Sequence, residues 1–115
     1  MKVGFGSSKH QINSLEREGR PCDPQVILSQ IGKMTVLAVS GGRVIALKDK
    51  DGNHVGVALF VTEKRRIEVI YNWWDTYDVT RIHTDKNGTE TVEAWDTLVY
   101  CDQLEQMVWK ASVWE

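Results

Sequence analysis

Only two cysteines, Cys22 and Cys101, occur in the 115 residues. A small secreted domain stapled by disulfides carries more, so this scarcity fits a reducing compartment. Long apolar runs are missing as well. None reaches the ~18 residues of a membrane span, and Met1-Lys2-Val3-Gly4-Phe5-Gly6-Ser7-Ser8 lacks the apolar core of a signal peptide. These absences predict a cytoplasmic protein without membrane contact. There is no internal repeat and no low-complexity tract.

A catalytic constellation is also lacking. Cys101 stands beside Asp102, but His10, His54 and His83 fall in different predicted elements. A cysteine nucleophile needs a base and a group to orient it. Cys101 is instead expected to be a small buried residue in or just before the last helix. No cysteine or histidine pair has zinc-ligand spacing. Asp49-Lys50-Asp51-Gly52-Asn53 resembles the opening of a calcium loop, yet Phe60 occupies the position that needs an acidic ligand. Ser40-Gly41-Gly42-Arg43 offers amides and a guanidinium, as anion-binding nests do. It lacks the P-loop lysine and a following helix, so it reads as a hairpin turn. The expectation is no enzyme, no metal and no cofactor.

What is present describes one folded domain. The area rules predict about 6,400 Å² exposed when folded against roughly 19,000 Å² unfolded, enough burial for a core without staples. An apolar fraction of 42% with 26% charged residues is that of a globular chain. The net charge of −2 conceals an asymmetry: residues 1–42 carry +2, residues 43–66 carry +3 and residues 67–115 carry −7. An acidic second half suits a basic protein surface or the imitation of nucleic acid, and equally suits solvated strand faces.

Residues 1–22 read as a polar N-terminal arm, with weak helical spacing at Ile12 and Leu15, and residues 23–115 as a single domain. Asp23-Pro24 is a helix start, because aspartate caps free amides and proline at the first position needs no partner. Val26, Ile27, Gln30 and Ile31 follow, and Gly32 stops the helix. Thr35 to Val39 reads as a short strand turning at Gly41-Gly42 into Val44 to Leu47. Val55 to Val61 is the next strand, apolar on both alternating faces. Ile67, Val69 and Tyr71 alternate with polar residues. Tyr77 to Ile82 and Thr89 to Trp95 flank Asn87-Gly88, a strong hairpin signal. Tyr100, Leu104, Met107, Val108 and Ala111 recur at helical spacing. The short connections force antiparallel neighbours. The expected fold is α+β: an antiparallel meander of five or six strands flanked by helices near residues 24–32 and 99–111.

Several blocks carry a family resemblance. They are Gln30-Ile31-Gly32 with Met34, Leu37-Ala38-Val39-Ser40-Gly41-Gly42-Arg43, Asp75-Thr76-Tyr77 with Val79 and Arg81, and Val99-Tyr100-Cys101-Asp102-Gln103-Leu104 with Ala111-Ser112. In these the chain resembles a family of small uncharacterised proteins of bacteriophages, chiefly of actinobacterial hosts, and of mobile elements. The match spans roughly residues 26–112. Cys101 stands where alanine is more usual, and the Trp73-Trp74 pair is a further departure. The resemblance implies phage origin and a compact domain in the host cytoplasm, and it supplies no catalytic residues.

The candidate binding residues are Arg43, Lys64, Arg65, Arg66, Trp73, Trp74 and Tyr77. Lys64-Arg65-Arg66 is a basic cluster, reinforced by Lys48 and Lys50 if the hairpin joins their strands. Trp73 and Trp74 open a turn and point to opposite faces, so an exposed one can anchor a protein or stack on a base. The leading expectation is a non-enzymatic accessory protein that binds a host protein, in a host-interaction or anti-defence role. The alternatives are a nucleic-acid or signalling-nucleotide binder, and a minor virion component. A homodimer is expected as well, closed by an edge strand or by the tail around Val113-Trp114.

Overall fold

The computed structural model describes residues 2–8, through their backbone, and residues 17–113. Along the chain lie β1 (Lys2–Ser8), α1 (Pro24–Ile31), α2 (Lys33–Ser40), β2 (Val44–Lys48), β3 (His54–Phe60), β4 (Arg65–Tyr71), β5 (Tyr77–Thr84), β6 (Glu90–Val99) and α3 (Leu104–Ser112). A 3-10 turn, Cys101–Gln103, leads into α3. Strands β2 to β6 form an antiparallel meander and β1 adds antiparallel to β6, giving the order β1-β6-β5-β4-β3-β2. The three helices pack on one face, where Ile27, Ile31, Val57, Leu59, Val69, Val79, Leu104 and Val108 share one core. The α+β meander expected from the short connections is what forms, with six strands.

Helix α1 starts as its sequence dictates. The Asp23 carboxylate accepts from the Gln25 amide at 2.9 Å, and Ile27 and Ile31, one turn apart, are fully buried. Gly32 takes φ +97°, ends α1 and begins α2. A side chain there meets strain that glycine avoids.

Thr35 to Val39 is therefore helical and not the expected strand. Thr35, Val36, Val39 and Ser40 form the buried stripe of α2. The two β-branched valines favour a strand locally, but burial of that stripe against α3 and β3 outweighs a propensity worth under ~1 kcal/mol per residue. Gly41, at φ +63°, donates its amide to Leu37 at 2.8 Å and closes the helix. Gly41-Gly42 is thus a helix cap followed by a strand, not a hairpin turn.

The last helix begins later than its apolar spacing suggests, because Val99 still belongs to β6. Leu104, Met107, Val108 and Ala111 are buried as their spacing requires. Cys101 corrects the expectation of a buried residue: it lies exposed in the 3-10 turn. At the far end of α3 the Arg81 guanidinium donates to the Ala111 carbonyl at 3.3 Å, satisfying a terminal acceptor.

The stretch read as a polar arm is tied to the sheet wherever it is described. Lys2 to Ser8 pairs with β6. The amides of Arg17, Arg20 and Cys22 donate to the carbonyls of Lys48, Tyr71 and His54 at 2.8, 2.8 and 2.9 Å. Gly19 packs so closely that a Cβ there lies 2.9 Å from the Val55 Cβ and 3.0 Å from the Tyr71 carbonyl. The helical spacing of Ile12 and Leu15 falls outside the described residues, as does Trp114. The two-sided apolarity of β3 is explained within one chain: Val57 and Leu59 join the main core, while Val55 and Ala58 join Leu47 in a second cluster.

Candidate functional site

Strand β4 divides the candidate residues into two groups. Its first residues, Arg65 and Arg66, lie at one end of the sheet, and the turn carrying Trp73 and Trp74 follows its last, Tyr71. Seven residues at about 3.3 Å each separate these ends by roughly 20 Å. The basic cluster and the tryptophans therefore do not form one surface. Lys50 lines a groove beside Trp73, so the β2–β3 hairpin carries it away from Lys64, Arg65 and Arg66 instead of reinforcing them.

At the basic end most cations are held within the protein. Adjacent positions on a strand face opposite ways, and Arg65 and Arg66 separate accordingly. Arg65 forms a two-pronged pair with Glu93, at 3.0 and 3.3 Å. Burial alone pushes the Glu93 carboxyl up, yet hydrogen bonding and attraction from Arg65, with Arg81 and His83 beyond, hold it below the usual range. Arg66 is buried on the face away from the helices. It donates to Glu68 at 2.8 Å and, through two nitrogens, to Glu90 at 3.0 and 2.8 Å. Glu68, only 2% exposed, also receives Arg17 at 2.6 and 2.8 Å. The result is a chain of alternating charge, Arg17–Glu68–Arg66–Glu90. Arg43 donates to the carbonyls of Ser40 and Val61 at 3.2 and 3.4 Å. Among the described residues Lys64 and Arg43 make no ion pair, and Arg43 is held by those two carbonyls.

The other end is aromatic and acidic. Trp73 and Trp74 are 71% and 78% exposed. Buried Asn72 fixes the turn that carries them: its side-chain carbonyl accepts from the Trp74 amide at 2.9 Å, the Thr76 amide at 3.2 Å and the Thr76 hydroxyl at 2.9 Å. Asp75 closes the turn at φ +61°, held by a hydrogen bond from the Tyr71 hydroxyl. Both indoles thus project from an ordered scaffold, whereas alternation alone places one of them inside.

Two recesses flank this turn. On one side lies a groove of about 310 Å³ walled by Trp73, Glu18, Asp49, Asp51, Arg17 and Lys50. Amides of Asn53 and Asp51 hydrogen-bond the Asp49 carboxylate, the Asn53 contact chief among them, and hold it below its ordinary range. On the other side a cavity of about 280 Å³ lies between α1 and the sheet, lined by Val26, Gln30, Tyr71, Asp75, Tyr77 and both cysteines. Tyr77 is buried there, not displayed for stacking as its candidacy required. Its hydroxyl donates to Gln30 at 2.6 Å, and burial, with Cys22, Cys101 and Asp75 nearby, pushes its pKa up to about 12. Burial and Asp23 push the Cys22 thiol up as well, which leaves it protonated and a weak nucleophile.

Sequence reasoning passed over Asp96 and Arg20. Asp96 is fully buried on the helix face, neither carboxylate oxygen has a hydrogen-bond partner among the described residues, and burial, against the pull of Lys110, raises its pKa. Its place in an otherwise alternating strand gave no signal, because the bulges in β6 shift which residues face inward. The Arg20 guanidinium lies 5.2 Å from the centre of the Tyr71 ring. No cluster of three or more metal-ligating side chains occurs among the described residues. No family model matches the chain, and no curated protein or solved structure matches it.

Proposed function

We propose that this chain works by binding another protein, with the β4–β5 turn as its contact surface. The observation that carries this reading is the pair of indoles, Trp73 and Trp74, held open on a turn braced by Asn72. Tryptophan dominates protein interfaces because one side chain brings a large apolar area at small entropic cost. An ordered turn lowers that cost further, since little is left to freeze on binding. With the phage origin implied by the family resemblance, the partner is a host protein in the host cytoplasm, and the role is host interaction or anti-defence without catalysis.

The nucleic-acid or nucleotide alternative has less support. It needs cations gathered beside aromatic rings, and here Arg65 and Arg66 are paired with carboxylates roughly 20 Å from the tryptophans. The homodimer expectation gains a different surface. Met34 and Leu37 project from α2 at 77% and 47% exposure, and Trp109, which donates to Thr35 of α2, is 46% exposed. Light scattering across a dilution series tests that assembly, and a mass of one chain throughout defeats it. The binding reading is tested by affinity purification of the tagged chain from host cells. A stoichiometric protein partner supports it, and none across several conditions contradicts it.

A further inference from the structure

We propose that the β4–β5 turn receives a basic segment of the partner protein, seating an arginine or lysine side chain in the groove beside Trp73. This rests on the turn being the contact surface and adds the partner's chemistry. The groove sets an exposed indole beside three acidic residues, Glu18, Asp49 and Asp51, of which Asp49 also accepts from the amides of Asp51 and Asn53. Of the two cations that line its wall among the described residues, Arg17 is bound to Glu68 at 2.6 Å, and Lys50 faces the three acids. An aromatic face attracts a cation through its quadrupole, and carboxylates at the rim add hydrogen bonds and charge.

The chain shows this chemistry on the other flank of the same turn. There its own Arg20 lays a guanidinium over Tyr71, 5.2 Å from the ring centre, and brings a nitrogen within 3.8 Å of the Asp75 carboxylate. The Trp73 groove repeats the combination of ring and carboxylate, and among the described residues no cation lies over its ring. Charge selects the class of partner: in the groove an anionic ligand meets Glu18, Asp49 and Asp51, with Lys50 and the Glu68-bound Arg17 as the cations of its wall. Extent selects a segment over a single small cation. The two indoles, 71% and 78% exposed, offer more apolar area than one ammonium covers, and the aliphatic stems and backbone of a peptide cover both.

The test is titration of the full chain with a capped hexa-arginine peptide at low and physiological salt, followed by calorimetry, with a capped hexaglutamate peptide and a single-stranded oligonucleotide as comparators. The expected result is saturable binding of hexa-arginine alone, weakening as salt rises. Trp73→Ser weakens it by about tenfold, and the pair Glu18→Gln and Asp51→Asn weakens it and flattens its salt dependence. Lys64→Ala, at the opposite end of the sheet, leaves it unchanged. Each variant is checked for an unaltered melting temperature; if Trp73→Ser unfolds the chain, Trp73→Phe, which keeps a weaker aromatic face, carries the comparison. Preference for hexaglutamate or the oligonucleotide, or hexa-arginine binding indifferent to Trp73, overturns the proposal. If hexa-arginine fails to bind while capture of a cellular partner still depends on Trp73 and Trp74, the turn is the contact surface and its partner is not basic. If capture does not depend on those tryptophans, the functional reading itself falls.

Discussion

At the Arg65 end of β4, Arg65 faces Glu93 and Arg66 is enclosed by Glu68 and Glu90, so that charges conspicuous in the sequence are consumed in holding strands together. At the Tyr71 end the conspicuous residues are left outside: Trp73 and Trp74 project from a turn whose polar groups are satisfied by Asn72. Residue type alone points to both ends equally. What separates them is whether the fold supplies a partner. A cation with a carboxylate across the strand is architecture, whereas an indole held in water by an ordered turn has no role in this fold that the described contacts reveal.

The sharpest way to break this comparison is to remove a partner from the basic end. Glu68→Ala leaves Arg66 buried with one carboxylate fewer, and stripping one member from a buried ion pair costs about 3–5 kcal/mol. Urea denaturation is expected to show that loss; a change within 0.5 kcal/mol means the charge chain is ornamental and its arginines are available for ligands. The next effect belongs to the aromatic end. Trp73→Ser with Trp74→Ser is expected to leave stability within about 0.5 kcal/mol, as for exposed positions, while weakening the partner by about 2 kcal/mol or more, as for an anchor. Paired denaturation and binding curves check both halves.

Much of the architecture was legible because local chemistry and tertiary burial agree. Asp23-Pro24 caps a helix by geometry that needs no tertiary help, and Leu104, Met107 and Val108 can be buried together only on a helix. The reading failed where they disagree. Thr35 to Val39 has strand-forming residues before a glycine pair, and only the fit of Val36 and Val39 into the core decides for helix. The site was half legible. The tryptophans announce themselves, but their distance from Lys64, Arg65 and Arg66 depends on which end of β4 each occupies. The acids of the groove come from residues 18, 49 and 51, which the fold gathers from two separate segments. Tyr77 looked displayed because it follows the turn, and α1 covers it.

Smaller effects sharpen the account of the helix face. Asp96 is buried without a hydrogen-bond partner among the described residues and its pKa is raised. With a folded pKa above the unfolded one, the folded chain holds its proton longer, so stability falls as pH climbs from the unfolded value, about 4, through the folded value, and stays lowered above it. Asp96→Asn is therefore expected to stabilise the protein at pH 7 by about 1 kcal/mol, with the advantage shrinking toward pH 4. Thermal melts across that range decide it, and a destabilised variant at pH 7 means the carboxylate has a partner after all. The smallest effect is spectroscopic. Ultraviolet titration is expected to resolve one tyrosine ionising near pH 12, lost in Tyr77→Phe, and stability attached to that group declines only as pH rises from about 10 toward 12.

The division between the two ends is tested most directly by affinity capture with three forms of the chain: wild type, Trp73→Ser with Trp74→Ser, and Arg43→Ala with Lys64→Ala. The expected result is one stoichiometric partner retained by wild type and by the basic-end variant, and lost with the tryptophans. Retention by the tryptophan variant with loss from the Arg43 and Lys64 variant contradicts the account and places the contact surface at the other end of the sheet.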